Sequence, residues 1–187
     1  NSKLSSIGWW VFYGCSNLVN IKMGKNLRKI GSSAFYACGK LSSIEIPNSV
    51  TTSIGNYVFE SCLSLESITI PESLSSIGEY IFYNCSSLTN IYYQGTLEDW
   101  CNISFSYYSS NPMSEAEHFY MLDNNKYYEV TKIEIPNTIT TIGDYQFYGF
   151  NSATSLTIPE SVTSIGKNAF AFCESLTSIS IPNSVTT

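Results

Sequence analysis

The 187-residue sequence holds one histidine, six prolines and few charges, with Asp, Glu, Lys and Arg together making up 13 %. An average soluble domain carries roughly 25 % charged residues. Ser, Thr and Asn fill the polar positions instead, so hydroxyls and amides solubilise this surface. A single histidine, His118, leaves Ser-His and Cys-His nucleophile systems with one candidate base and no local signature around it. There is no phosphate-cradling glycine loop and no dinucleotide fingerprint. No cofactor is therefore expected. No apolar run approaches the about 20 residues of a membrane helix, and no membrane insertion is expected.

Net charge is −6, which disfavours attraction to nucleic acid. The charge is uneven. Residues 1–44 contain Lys3, Lys22, Lys25, Arg28, Lys29 and Lys40 without a carboxylate, for +6, and the remainder carries −12. Drift among solvated positions accounts for this, as does a polarised binding face.

What is present is a repeat. SIGWWVFYGC (6–15), KIGSSAFYAC (29–38), SIGNYVFESC (53–62), SIGEYIFYNC (76–85), TIGDYQFYGF (141–150) and SIGKNAFAFC (164–173) are versions of one unit. Their isoleucines, at 7, 30, 54, 77, 142 and 165, are separated by 23, 24, 23, 65 and 23 residues. Phe12, Phe35, Phe59, Phe82, Phe147 and Phe170 each follow by five. A second half-unit, as in KLSSIEIPNSV (40–50), SLESITIPESL (64–74) and SLTSISIPNSV (175–185), alternates apolar and polar residues before a proline. That is a strand with one buried face, ended by a residue that cannot donate to a ladder. The glycine after each isoleucine (Gly8, Gly31, Gly55, Gly78, Gly143, Gly166) is expected to supply a turn conformation. One such unit cannot bury its own apolar face, whereas stacked coils can. The architecture expected is a repeat solenoid of α/β type, mostly strand and coil with few short helices.

These motifs resemble the BspA-like, treponeme-type leucine-rich repeats over nearly the whole chain apart from residues 93–129. The resemblance implies a right-handed solenoid with a parallel sheet of short strands. It also implies secreted or surface proteins of host-associated bacteria, often described as adhesins, with partners that vary. Residues 1–187 are read as one solenoid, with regular coils over about 4–92 and 130–187. The abrupt start and stop suggest a piece of a longer array, with no signal peptide in view.

Within 93–129, GTLEDWCNI (95–103) predicts a short helix capped by Thr96, with Glu98 and Asp99 in its first turn. SEAEHFY (114–120) predicts a second, capped by Ser114 and carrying His118. FYMLDNNKYYEV (119–130) predicts a β-hairpin. The segment reads either as an irregular coil that keeps the core continuous or as a protruding insertion that makes contacts. Glu98, Asp99, Glu115 and Glu117 near Trp100 offer carboxylates for a glycosidase-like pair, although first-turn acids already answer to the helix dipole. Asp123, Asn125 and Glu134 fall at calcium-loop spacings, but Tyr128 occupies the position that needs glycine, so no metal is expected.

Cys15, Cys38, Cys62, Cys85 and Cys173 share one position, held by Phe150 in the fifth unit. This interchange predicts free, buried thiols. Cys101 stands outside the ladder. Two aromatic ladders follow: Trp10, Tyr57, Tyr80 and Tyr145, then Tyr13, Tyr36, Tyr83 and Tyr148. Both accept polar substitutes (Ser33, Asn168, Glu60), which predicts at least half exposure. They read as coil-to-coil stacking or as a ridge for glycan or peptide. A third row, Lys22, Glu45, Thr69, Tyr92, Glu134, Thr157 and Ser180, lies between core-facing strand residues and points outward.

The function expected is an extracellular or cell-surface binding module that contacts a host protein or glycan without catalysis. The alternative is a passive spacer displaying other domains. Exposed core cross-sections predict end-to-end self-association.

Overall fold

The computed structural model describes residues 3–187. It is a parallel β-solenoid of about 7 turns with one short α-helix. Where a regular coil forms both strands, one has two residues and the other three or four. The first set, β1 (Ser6–Ile7), β2 (Lys29–Ile30), β4 (Ser53–Ile54), β6 (Ser76–Ile77) and β8 (Ser104–Phe105), stacks in that order. The second joins β3 (Ser43–Glu45), β5 (Ser67–Ile70), β7 (Asn90–Tyr93) and β9 (His118–Asp123) in parallel, with β10 (Lys126–Glu129) antiparallel on the outer edge. Two further pairs complete the array: β11 (Lys132–Glu134) with β13 (Ser155–Thr157), and β12 (Thr141–Ile142) with β14 (Ser164–Ile165).

Register places like on like. Ile7 faces Ile30, Ile30 faces Ile54 and Ile54 faces Ile77, while Ile44, Ile68, Ile91 and Phe119 form the matching row in the second sheet. The phenylalanines stack at centroid distances of 5.1, 5.6 and 5.8 Å from Phe12 to Phe82, and at 5.6 Å between Phe147 and Phe170. Each such contact contributes about 0.5–1.5 kcal/mol beyond its buried area.

The glycines have a different cause from the one expected. Gly8, Gly31, Gly55, Gly78, Gly143 and Gly166 are not among the residues at positive φ. At four of them it is close approach that matters. A Cβ on Gly55 would lie 2.5 Å from the Ser32 nitrogen, and one on Gly166 would lie 2.5 Å from the Asp144 nitrogen. Coils touch backbone to backbone there, and no side chain fits.

Residues 93–129 contribute to the same core. Thr96 caps α1 (Leu97–Cys101) in a reciprocal box with Asp99, as expected. Trp100 on that helix is buried against Tyr93, Phe105, Phe119 and Phe150. Phe150 therefore stands where other coils have cysteine because it fills space beside this cluster. The helix expected over 114–120 is absent. Pro112–Ser114 form a single 3-10 turn, and His118 opens β9. Pairing with β7 outweighs a weak local helix preference. The hairpin forms as expected, with Asn124 and Asn125 in left-handed conformation at its turn.

The short-strand ladder stops at β8, and the parallel order of the second sheet stops at β9. Side chains take over at this seam. Trp100 Nε1 donates to the Gln146 carbonyl at 2.9 Å, and Gln146 Nε2 donates to the Trp100 carbonyl at 2.6 Å. Asn111 Nδ2 donates to the Tyr145 carbonyl at 2.8 Å. Asn111 and Gln146 are buried. They satisfy backbone acceptors that a regular neighbouring coil would otherwise pair.

At the two extremities the strand pattern fades. Ile179 and Ile181 are 44 % and 58 % exposed and lie outside any strand, contrary to the alternation of their sequence. A coil with a neighbour on one side has half the partners.

Candidate binding surfaces

The aromatic ladder after the glycine occupies a costly backbone state. Trp10, Ser33, Tyr57, Tyr80, Tyr145 and Asn168 all have φ between 52° and 59°. Four residues on, Gly14, Ala37, Ser61, Asn84, Gly149 and Phe172 are left-handed too. This region costs an L-residue about 1–2 kcal/mol, and asparagine relieves part of that locally. Asn168 shows the inexpensive solution. The aromatic residues do not.

Tyr57 and Tyr80 stack at 5.5 Å, and Tyr13 and Tyr36 at 5.0 Å. The irregular coil carries the ladders onward through two residues that no repeat motif marks. Tyr107 lies 5.9 Å from Tyr80 and 6.2 Å from Tyr145, and Tyr108 lies 5.7 Å from Tyr148. Exposure along the ridge is uneven. Trp10, Tyr13, Tyr57, Tyr83 and Tyr107 are exposed, and Tyr36, Tyr80 and Tyr148 are half-buried. Tyr145 and Ser33 are buried, against the expectation of half exposure. Tyr107 approaches Tyr145, and the Lys167 ammonium lies 5.9 Å from the centre of its ring.

The outward row of the second sheet is also rearranged. Glu45, Thr69 and Tyr92 lie side by side as expected. The neighbour of Tyr92 is then Tyr120 on β9, not Glu134. Their rings stack at 5.1 Å, and Tyr127 from β10 meets Tyr92 at 4.9 Å and 64°. Its hydroxyl bonds to the Gln94 side chain. The result is an aromatic corner that Tyr92 alone announced. Burial raises the Tyr120 and Tyr127 hydroxyls, and the Glu129 and Glu45 carboxylates respectively push them the same way. Lys22 and Ser180 belong to segments outside the strands, while Glu134 and Thr157 sit on the separate β11–β13 pair. Glu134 helps line a 390 Å³ cleft with Thr96, Met121, Tyr128 and Lys132.

His118 Nδ1 lies 2.7 Å from Glu129 Oε1 and 3.5 Å from Ser152 Oγ. Ser152 and then His118 lower the Glu129 carboxyl by hydrogen bonding. In a nucleophile system serine and carboxylate would engage opposite ring nitrogens. Here Ser152 and Glu129 both approach Nδ1, and the carboxylate nearest the opposite nitrogen, that of Glu117, stands 3.8 Å from Nε2, beyond hydrogen-bond distance. Asp99 is held by the capping box. Among the described residues no cluster of His, Cys, Asp and Glu has metal-site geometry.

All six cysteines are free. The Cys38, Cys62, Cys85 and Cys173 thiols each donate to the phenylalanine carbonyl of the preceding coil, that of Phe12, Phe35, Phe59 and Phe147, at 3.0–3.2 Å. Burial pushes Cys38 up to about 11 and Cys62 up to about 12. Cys15 is exposed and Cys173 half-buried, both against the expectation of burial.

The coil geometry and paired ladders define a leucine-rich-repeat solenoid. The BspA type leucine-rich repeat region matches six times, over residues 1–111 and 122–187, and the chain belongs to that family. Its fold is that of repeat modules that are generally non-catalytic. The T. pallidum leucine-rich repeat protein is similar in structure, with 26 % identity and a TM-score of 0.55 over 92 % of this chain and 72 % of that one. A leucine-rich repeat protein from Eubacterium ventriosum shares 21 % identity at a TM-score of 0.46, covering 91 % of this chain and 50 % of its own. A leucine-rich cell surface protein from Faecalibacterium prausnitzii shares 21 % at 0.34, covering 98 % and 72 %. None of the curated proteins matches the sequence. No helix among the described residues is long and apolar enough to cross a membrane.

Proposed function

We propose that the chain is a binding module of a secreted or cell-surface protein, that it holds a protein or glycan partner on its extended surface, and that it performs no catalysis. Family membership supports the module reading, and the charge-poor, hydroxyl-rich surface suits an extracellular setting. The observation that carries it is the aromatic ridge. Trp10, Tyr57 and Tyr80 occupy left-handed positions where asparagine is less strained. Tolerated strain points to a role beyond folding, and exposed Tyr and Trp supply large contact area at low entropy cost.

The test uses that strain. A variant carrying Trp10→Asn, Tyr57→Asn and Tyr80→Asn should fold, because asparagine suits the backbone. It and the parent are screened against immobilised extracellular-matrix proteins and a glycan array. Parent-specific capture that the variant loses supports the ridge. Capture kept by the variant moves the site to the sheet face or the irregular coil. Absence of capture favours the alternative, a spacer that displays other domains.

Exposed apolar residues at both extremities, Leu4, Val11 and Val19 at one and Phe172, Ile179 and Ile181 at the other, support end-to-end association of copies. Light scattering that reports a monomer at every concentration would sink that part of the proposal.

A further inference from the structure

We propose that the aromatic corner of Tyr92, Tyr120 and Tyr127, bordered by Glu45 and Glu129, seats an arginine or lysine side chain of a protein partner. This rests on the binding-module reading and names the chemistry of one site within it. Three tyrosines converge from β7, β9 and β10, and the rings of Tyr92, Tyr120 and Tyr127 make contacts of 4.9 and 5.1 Å. Tyr127 is 38 % exposed, and the other two are half-buried.

Charge complementarity selects the occupant. Carboxylates lie at both borders: Glu129 stands opposite Tyr120 in the β9–β10 ladder, and Glu45 lies two strands from Tyr92 along the row that runs through Thr69. Glu45 makes no ion pair among the described residues, and Glu129 pairs with His118 alone. β5, β7 and β9 contain no lysine or arginine. On β10, alternation sends Lys126 to the side opposite Tyr127. The base on the outward row is Lys22, one coil before Glu45 and outside the strands. A tyrosine face attracts a cation through its ring quadrupole, and the flanking carboxylates add to that field. An anionic partner finds no lysine or arginine there, and the base at the edge, His118 beside Tyr120, is already paired with Glu129. Among the described residues one such pairing of cation and ring exists, Lys167 with Tyr145.

The experiment measures binding of fluorescein-labelled octa-arginine, and of a neutral cello-oligosaccharide, to the full chain and three variants. Tyr92→Thr/Tyr120→Thr copies the residue found at the equivalent strand positions Thr69 and Thr157 and leaves net charge unchanged. Glu45→Gln removes one carboxylate with little change of shape. Leu63→Ser removes an exposed apolar side chain that belongs to neither the corner nor the ridge. We expect the tyrosine variant to lose at least tenfold in affinity for octa-arginine, Glu45→Gln to lose severalfold, and Leu63→Ser to bind like the parent. Equal binding by the tyrosine variant and the parent would mean diffuse attraction to an acidic protein, and the site would be overturned. Retention of the oligosaccharide without the peptide overturns it in favour of a sugar site. If the peptide fails while matrix proteins are still captured, the corner is wrong and the module reading survives. If neither is retained, both fall.

Discussion

At the residue scale, two backbone demands separate positions that look alike. Gly55 has no room for a methyl group, because the atoms it would strike belong to the backbone of the preceding coil. Gly39 has nothing within 4 Å of the same position. Gly55→Ala should therefore destabilise by about 2 kcal/mol or more, as overpacking against a rigid neighbour does. Gly39→Ala should change little. Urea titration of the pair checks this, and equal midpoints would refute the close-approach account. At Tyr57 two effects oppose each other. Asparagine relieves left-handed strain but forfeits the stack on Tyr80, each worth about 1 kcal/mol, so Tyr57→Asn should be nearly neutral. Tyr57→Val keeps neither advantage and should cost more than asparagine, by the same titration. The sequence points to a glycine at this position in six coils but not to the reason. Close approach and positive φ leave the same residue in the same place.

At the scale of elements, the cysteine ladder and the hairpin respond to pH in opposite regions. Thiolates are the reactive form. With Cys38 and Cys62 pushed up to about 11 and 12, Cys15 alone of the ladder should react readily with an aromatic disulfide reagent at pH 8. Cys38, Cys62 and Cys85 should react on denaturation, and rapid native reaction of any of them would contradict their burial. The hairpin depends on Glu129, whose folded pKa lies below its ordinary 4.5. A depressed carboxylate contributes stability that is fully present above the ordinary value and lost as pH falls through the folded one. Amide exchange in Tyr127–Val130, corrected for intrinsic rates, should speed up as pH drops below about 4.5. Glu129→Gln should remove that dependence. The hairpin was legible from its alternating residues around Asn124 and Asn125, and α1 from its cap. β9 was half legible, since SEAEHFY carries a helix cap and a helix-compatible composition. What makes His118–Asp123 a strand is the edge of β7, where His118 pairs with Asn90 far back in the chain, and local pattern does not see it.

For the whole molecule, repetition made the fold readable, because each coil reports on all the others. The seam between Trp100 and Gln146 has no such redundancy. Its bonds are made by single residues, so no periodic signal exposed Asn111 or Gln146, or the Tyr107 and Tyr108 bridge. Repeat arrays unfold cooperatively as long as neighbouring interfaces hold. Gln146→Ala removes one of the donors to the buried Trp100 carbonyl and leaves it the Ile103 amide, a loss of about 0.5–1.5 kcal/mol. Its urea transition should broaden or split, with the coils before the seam and those after it melting apart. A single unbroken transition of parental steepness would show that hydrophobic contact through Trp100, Phe119 and Phe150 suffices to couple them.

The same seam bears on how such a gene can change length. A coil of 23 or 24 residues can be duplicated or deleted on either side, since the new junction is again isoleucine on isoleucine. The seam cannot be copied that way. Its reciprocal bonds join residues 46 apart in the chain, so a duplication one coil long that lies wholly between them separates donor from acceptor. Recombination should leave this stretch in single copy while the arms on both sides lengthen and shorten, and its place in the count of coils is the landmark from which related arrays can be aligned.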